Sequence, residues 1–337
     1  MKFKIIYRLM ALGLSLLGLL ALDLFLPRNY PSLPRQNQSE WGTLWQQIPS
    51  SSFNAPGLRV RMQMAQRLWF FQRPQPGHYL FESKVSMWTW FRTLQRGRQT
   101  PYRLVLSKQR TPQRLAAFLA RNLQADSSAW MTLFRDSLVM DGRPRDPQNT
   151  MLYFLSDTYE VYWTVRPKQF LQRMQREHRK FWTPNRISEA KNHGLTPREA
   201  MILASLVEEE TQFAPERPRI AGVYLRRLGL GMPLQADPTV KFALGRFDLR
   251  RIGTEHTRYQ SPYNTYLYRG LPPGPLCIPS KNAIEAVLKA EKHDFLYFCA
   301  NPDRVGTHLF ATRYDEHLRN AQRYRKSLDS RGVKIQS

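Results

Sequence analysis

TPREAMILASLVEEETQFAPERPRIAGVYLRRL, residues 196–228, sets the frame for the rest of the chain. Thr196 can cap a helix, Pro197 suits its first position, and Glu199 completes a capping box. The helix is expected to end shortly before Pro215, because a residue preceding proline disfavours the α region. Leu203, Leu206 and Val207 form one apolar stripe. Glu210 lies seven, four and three residues beyond them and extends it. Glu208 and Glu209 fall on rotated faces with Ala204 and Ser205. A carboxyl group on a buried stripe loses hydration, which raises its pKa and favours the protonated form. In that form it can hand a proton to a leaving group near neutral pH. From this pattern alone a second reading is equally open: EEE as a solvated acidic turn.

The residues after the helix separate the two readings. Pro215-Glu216-Arg217 breaks it, and Arg219 to Leu228 reads as a second helix stopping at Gly229. Then come GMPLQADPTVKF at 231–242 and YNTYLYRGLPPGPLCIPS at 263–280. These three blocks, in this order, resemble the YceG-like family of membrane-anchored endolytic murein transglycosylases. The resemblance is strong over residues 200–315 and weak over 76–182. It implies an α+β chain: an N-terminal transmembrane helix, a small LysM-like αβ lobe, and a mixed α/β catalytic domain. Two positions depart from the family pattern. Arg226 stands where members often carry asparagine, and Ser280 where glycine is common.

Composition bounds the partners. A chain of 337 residues has room for two or three compact domains. Its formal charge of +25 attracts anionic surfaces without naming one: nucleic acid, acidic headgroups and wall polymers all qualify. The run MWTWFRTLQRGRQTPYRLVLSKQR mixes arginine with aromatics, as nucleic-acid binders do. Trp88 and Phe91 stand at helical spacing, however, which places them in a core, and no nucleic-acid motif is legible. No cofactor is expected, and no Cys/His pattern suggests a metal. Cys277 and Cys299 either bridge, as an exported domain allows, or stay buried as two small hydrophobes.

Residues 1–8 carry Lys2, Lys4 and Arg8 before an apolar run, and the segment from Ile5 to Leu26 matches the roughly 20 residues that a spanning helix needs. The basic start keeps residues 1–8 cytoplasmic and exports the rest, giving a single-pass anchor at 9–27 in the cytoplasmic membrane. Arg8 can snorkel to the near interface, and Asp23 sits near the far end. A cleaved signal peptide is the alternative, against which ALDLFLPRN offers no clean cleavage site. Residues 28–57 read as a tether. Residues 58–122 alternate helix and strand: a helix from Leu58 to Phe71, a turn into a strand at PQPGHYLF, a helix from Ser86 to Leu94, a strand at Tyr102–Leu106 and a helix from Pro112. They resemble the LysM-like lobe, which implies glycan contact; a lobe that only positions the catalytic part is the alternative. Residues 123–195 form a helical connection, and 196–337 the catalytic domain.

The resemblance implies cleavage of the β-1,4 bond between N-acetylmuramic acid and N-acetylglucosamine in nascent strands, leaving a 1,6-anhydro end and terminating elongation. Glu210 is the expected acid and then base. Gln235, Asp237, Thr239, Tyr263, Asn264, Thr265 and Tyr266 are expected to bind substrate, since sugars need hydrogen bonds at their edges and apolar platforms at their faces. For YNTY alone, a turn with Asn264 satisfying its own backbone is the competing account. Glu208, Glu216 and Arg217 are secondary candidates. Glu208, Glu216 or Asp237 as a second carboxylate gives a lysozyme-type hydrolase; a non-catalytic wall-binding scaffold is the other alternative. Expected partners are glycan strands, the membrane and peptidoglycan synthases. Replacing Glu210 by Gln should abolish cleavage, and replacing Glu208 should do less.

Overall fold

A computed structural model describes residues 2–38, 40–52, 57–68, 72–136, 147–249 and 251–330. The chain divides into two compact units. One comprises Met1–Leu104 with Arg121–Ala125 and Glu160–Arg166; the other comprises Val105–Ala120, Asp126–Tyr159 and Pro167–Ser337.

The first unit contains α1 (Lys2–Phe25), β1 (Leu33–Gln36), α2 (Trp41–Gln47), α3 (Leu58–Leu68), β2 (Gly77–Tyr79) and α4 (Met87–Gln95), followed by the start of β3 (Tyr102–Leu106). The Ser86 hydroxyl caps α4 by accepting from Thr89 N. From Met87 the apolar positions fall at Trp90, Phe91 and Leu94, and all four are fully buried. Trp90 therefore takes the core place expected of Trp88, which lies at the surface beneath the Arg92 guanidinium. Of the stretch expected to be a tether, β1 and α2 pack onto this unit. β1 pairs antiparallel with β2, and Trp41, Leu44 and Trp45 of α2 are buried, with Trp45 stacked 6.0 Å from Trp90. Two tryptophans in one short helix hold too much apolar surface to remain in water.

Helix α1 also belongs here, with Leu24 buried in the same core. Among the described residues, no helix is long and apolar enough to cross a membrane, and the anchor expected at 9–27 is not confirmed. The side-chain placements expected for Lys2, Lys4, Arg8 and Asp23 lie outside the described residues, as do positions 39 and 53–56 of the tether and 69–71 of the helix expected to reach Phe71.

The second unit is mainly helical: α5 (Pro112–Asn122), α6 (Ser127–Asp136), the single turn α7 (Pro147–Thr150), β4 (Asp157–Val161), α8 (Pro167–Phe181), α9 (Pro184–Asn192), α10 (Pro197–Glu210), α11 (Arg217–Gly229), α12 (Asp237–Leu244), the turn α13 (Thr254–Thr257), α14 (Lys281–Leu288), the hairpin strands β5 (Tyr297–Ala300) and β6 (His308–Ala311), and α15 (Tyr314–Ser330). The capping box at α10 is formed: Glu199 N donates to the Thr196 hydroxyl, and the Glu199 carboxyl accepts from Thr196 N. Every residue of α10 from Ala200 to Glu208 is buried. The single stripe read from the sequence is thus widened to all faces. α10 is the central post, packed on α11, α12 and α14. Burying a helix all round removes both solvated faces and leaves its last turn as the place where carboxylates can meet water.

Cys277 and Cys299 are free thiols, which removes the bridge. Cys277 is buried against α10, its Sγ 3.8 Å from Ser205 O, while Cys299 sits in β5 opposite Leu309.

Candidate active site

Three loops pack around α10. The first carries Met232 to Ala236. Arg227 of α11 is buried and fixes it by donating to Leu234 O at 2.8 Å and Pro233 O at 3.2 Å. Gln235 adopts φ 52°, a left-handed value rare outside glycine, and its N–H donates to Thr265 O. The second loop is YNTY. The third is GLPPGPL, tied to α10 by Leu276 N donating to Ser205 Oγ at 2.9 Å. A Cβ at Gly274 would come within 2.6 Å of the Tyr263 hydroxyl oxygen, so a larger residue there must displace the Tyr263 side chain.

The three glutamates of EEE have separate fates. Glu208 is buried, 3.2 Å from Arg217 Nη2, and accepts from the Ser280 hydroxyl at 2.5 Å. Arg217 also donates to Asn282 Oδ1 and Thr211 O. Glu208 and Arg217 thus bind α10 to the start of α14. Ser280, at the family's usual glycine position, both caps α14 and completes that network. Glu209 accepts two hydrogen bonds from Arg110, at 3.0 and 2.9 Å, with Lys108 at 3.3 Å. Burial pushes its carboxyl up, but these cations outweigh it and hold the group below its ordinary range. Glu216 accepts from His308 Nδ1 at 2.8 Å and from His308 N, which pins the hairpin.

Glu210 has no cation bound to it among the described residues. Its Oε1 accepts from the hydroxyl of Tyr224, a buried residue of α11. Desolvation pushes its pKa up to about 7, Asp237 and Glu209 add to the rise, and the Tyr224 bond and Lys241 oppose it. A carboxyl group poised there holds its proton in a large fraction of molecules at neutral pH.

The expected substrate-binding residues divide. Asp237 is solvent-accessible, accepts from Tyr266 Oη at 2.6 Å, and is raised by the protein packed round its carboxyl. Tyr266 and Gln235 also reach the surface, and Tyr263 is half-buried with its ring 4.7 Å from Phe242. Thr239, Asn264 and Thr265 do not face the cleft. Asn264 is fully buried and donates to Thr257 O and Tyr259 O while accepting from Tyr266 N. The Thr239 and Thr265 hydroxyls meet at 2.9 Å, and Thr265 Oγ1 accepts from Ala236 N. Thr239 and Thr265 tie the Gln235 loop to YNTY, and Asn264 ties YNTY to the Thr257–Tyr259 stretch, where contact with substrate was expected. Arg226 pairs with Asp294 at 2.9 Å on the surface and makes no bond to Glu210.

Tyr224, Arg227 and Arg110 were not foreseen as parts of the site. Neither Tyr224 and Arg227 in α11 nor Arg110 in the loop before α5 has a local mark of such a partner; only the fold brings it there. Among the described residues no His/Cys/Asp/Glu group could hold a metal ion.

Comparison with known proteins gives the same frame. The profile of the YceG-like family matches residues 51–323. An endolytic murein transglycosylase of Bacillus subtilis is 37% identical over 137 residues, covering 41% of this chain and 37% of that protein. One of Streptococcus pneumoniae is 38% identical over 137 residues, covering 40% of this chain and 25% of that protein. These matches thus span well under two thirds of either relative. A crystal structure of a yceG-like protein from Listeria monocytogenes shares the fold, with a TM-score of 0.58 at 22% identity over 88% of this chain and 98% of that one.

Proposed function

Because the chain belongs to the YceG-like family, we propose that it is an endolytic peptidoglycan lytic transglycosylase with Glu210 as its acid and base. The observation that carries this reading is the Glu210 carboxyl itself, with no cation bound to it among the described residues, hydrogen-bonded by Tyr224 and raised to about 7. The name shared by the Bacillus and Streptococcus relatives supports the substrate.

The proton cycle needs one carboxyl group. Protonated Glu210 gives its proton to the oxygen between N-acetylmuramic acid and N-acetylglucosamine, and that C–O bond breaks. The muramyl C1 becomes oxocarbenium-like. The Glu210 carboxylate then takes the proton of the muramyl C6 hydroxyl as its oxygen bonds to C1. A 1,6-anhydro end results, no water is consumed, and Glu210 is protonated again. A hydrolase would need a second free carboxylate. Glu208 is committed to Arg217 and Ser280, and Glu216 to His308, which leaves Asp237 as the group that a lysozyme-type alternative must use.

The apolar run at 9–27 after a basic start supports a cytoplasmic-membrane anchor with the remainder exported. The helix–strand order of 58–122 supports a LysM-like contact with glycan. Muropeptide analysis after digestion of nascent, uncrosslinked strands tests the activity. Anhydro ends support it, reducing ends favour hydrolysis through Asp237, and uncut strands leave a scaffold.

A further inference from the structure

At Glu209, the residue before Glu210, lies a cavity of about 150 Å³ that the proton cycle does not use. Its polar wall is Arg110, Glu209, Gln212 and Lys241; its apolar wall includes Phe242 and Phe247. Arg110 lies over the Phe247 ring at 4.8 Å and is held by Glu209. Lys108 is also on Glu209, so two cations hold that carboxylate, and among the lining residues Arg110 and Lys241 stand against Glu209 alone. Arg110 and Lys108 are spent on Glu209. Lys241 has no ion-pair partner among the described residues, and its charge acts on both Glu210 and Asp237. Its half-buried ammonium lines the cavity with the Glu210 and Asp237 carboxyl groups only at longer range, and so without a direct hydrogen-bonded partner for its charge. A ligand carboxylate supplies one.

We propose that this cavity is an anion subsite in which Lys241 binds a carboxylate borne by the muramyl residue whose bond is cleaved, a reading that rests on the transglycosylase assignment. Each muramic residue carries on O3 a lactyl ether. Its carboxyl group is free in a stripped strand and amide-linked to an acidic peptide stem in an intact one. At about 30 Å³ per water-sized group, the cavity holds about five such groups, the size of a lactyl unit rather than a sugar ring. Its position next to the acid suits a substituent of the reacting sugar: Glu209 precedes Glu210 in the chain, and Pro238 of the same wall follows Asp237. N-acetylglucosamine has no such group, so the subsite selects which of the two alternating sugars presents its C1 to Glu210.

Binding of strands to full-length Glu210→Gln protein tests the subsite without turnover and without Glu210 titration. Three probes are compared: stem-bearing strands, strands stripped of stems by an amidase, and strands whose carboxyl groups have been converted to amides. Adding Lys241→Met is expected to raise Kd about ten-fold or more for at least one carboxylate-bearing probe and to leave the amidated probe unchanged, with Lys241→Arg restoring most of the affinity. Loss confined to stem-bearing strands assigns the stem carboxylate; loss on stripped strands assigns the lactyl carboxylate. No loss on either, or equal loss on amidated strands, overturns the subsite. Anhydro product from the wild-type protein on the same strands scores the transglycosylase assignment separately.

Discussion

Tyr224 and Glu210 stand fourteen residues apart on consecutive helices, and the phenol of one donates to the carboxyl of the other. The bond joins a buried hydroxyl to a carboxyl group whose proton affinity burial has already raised. A donor to the carboxylate favours the charged form, so Tyr224 restrains the rise.

Tyr224→Phe is therefore expected to raise the Glu210 pKa further, since the opposing hydrogen bond is gone. The acid form then persists to higher pH. The alkaline limb of kcat/KM against pH should move up by about one pH unit, while kcat at its plateau falls because the carboxyl group is less well held. A lower kcat with an unmoved limb would show that Tyr224 only packs.

Glu210→Gln keeps the shape and the Tyr224 contact but carries no transferable proton. Cleavage should fall by about 10²–10⁴-fold or more, with the fold intact by circular dichroism. Glu208→Gln is expected to fail differently. It leaves buried Arg217 without its counter-charge and weakens the tie to Ser280, at a cost of up to about 3 kcal/mol in stability. Denaturant melts should show the loss, while the folded fraction still cleaves. Inactive, fully stable Glu208→Gln protein would reassign the acid.

Stability should carry the mark of Glu210 too. Its folded pKa of about 7 lies above the ordinary 4.5, so the native state holds a proton that the unfolded chain has lost between those values. The contribution is fully present below about 4.5 and disappears as pH rises through about 7. Glu210→Gln should thus gain stability over wild type above pH 7, by at most about 3 kcal/mol, with the gain fading below pH 5. Paired urea titrations at pH 8 and pH 5 measure it.

The sequence made α10 legible because its signals are local: a cap at Thr196, a proline at 197, a break near Pro215. It marked Glu210 through its spacing from Leu203, Leu206 and Val207. The same spacing misjudged Glu208, which is also buried, because periodicity registers which face is apolar and not how many neighbours surround the helix. Trp88 was misplaced for a related reason: Trp88 and Trp90 lie two positions apart, and only packing decides which one turns inward. Tyr224 lies on α11 and Arg110 in the loop between β3 and α5, and no local pattern reports a contact made across the fold.

The two buried threonines give the last test. Thr239 and Thr265 share a hydrogen bond at 2.9 Å, and Thr265 Oγ1 also accepts from Ala236 N at 3.0 Å. Thr265→Val keeps the volume but removes the acceptor. The Ala236 N–H and the Thr239 hydroxyl then lose that partner in a site without solvent, which costs about 1–3 kcal/mol. The loop bearing Gln235 is tied to YNTY through this residue and through Gln235 N to Thr265 O, so its left-handed turn loses one of these two ties while the Arg227 bonds remain. The expected result is a lower denaturation midpoint with KM for strands nearly unchanged, because Thr265 is buried away from the cleft. A large rise in KM at unchanged stability would instead put its hydroxyl in contact with the glycan.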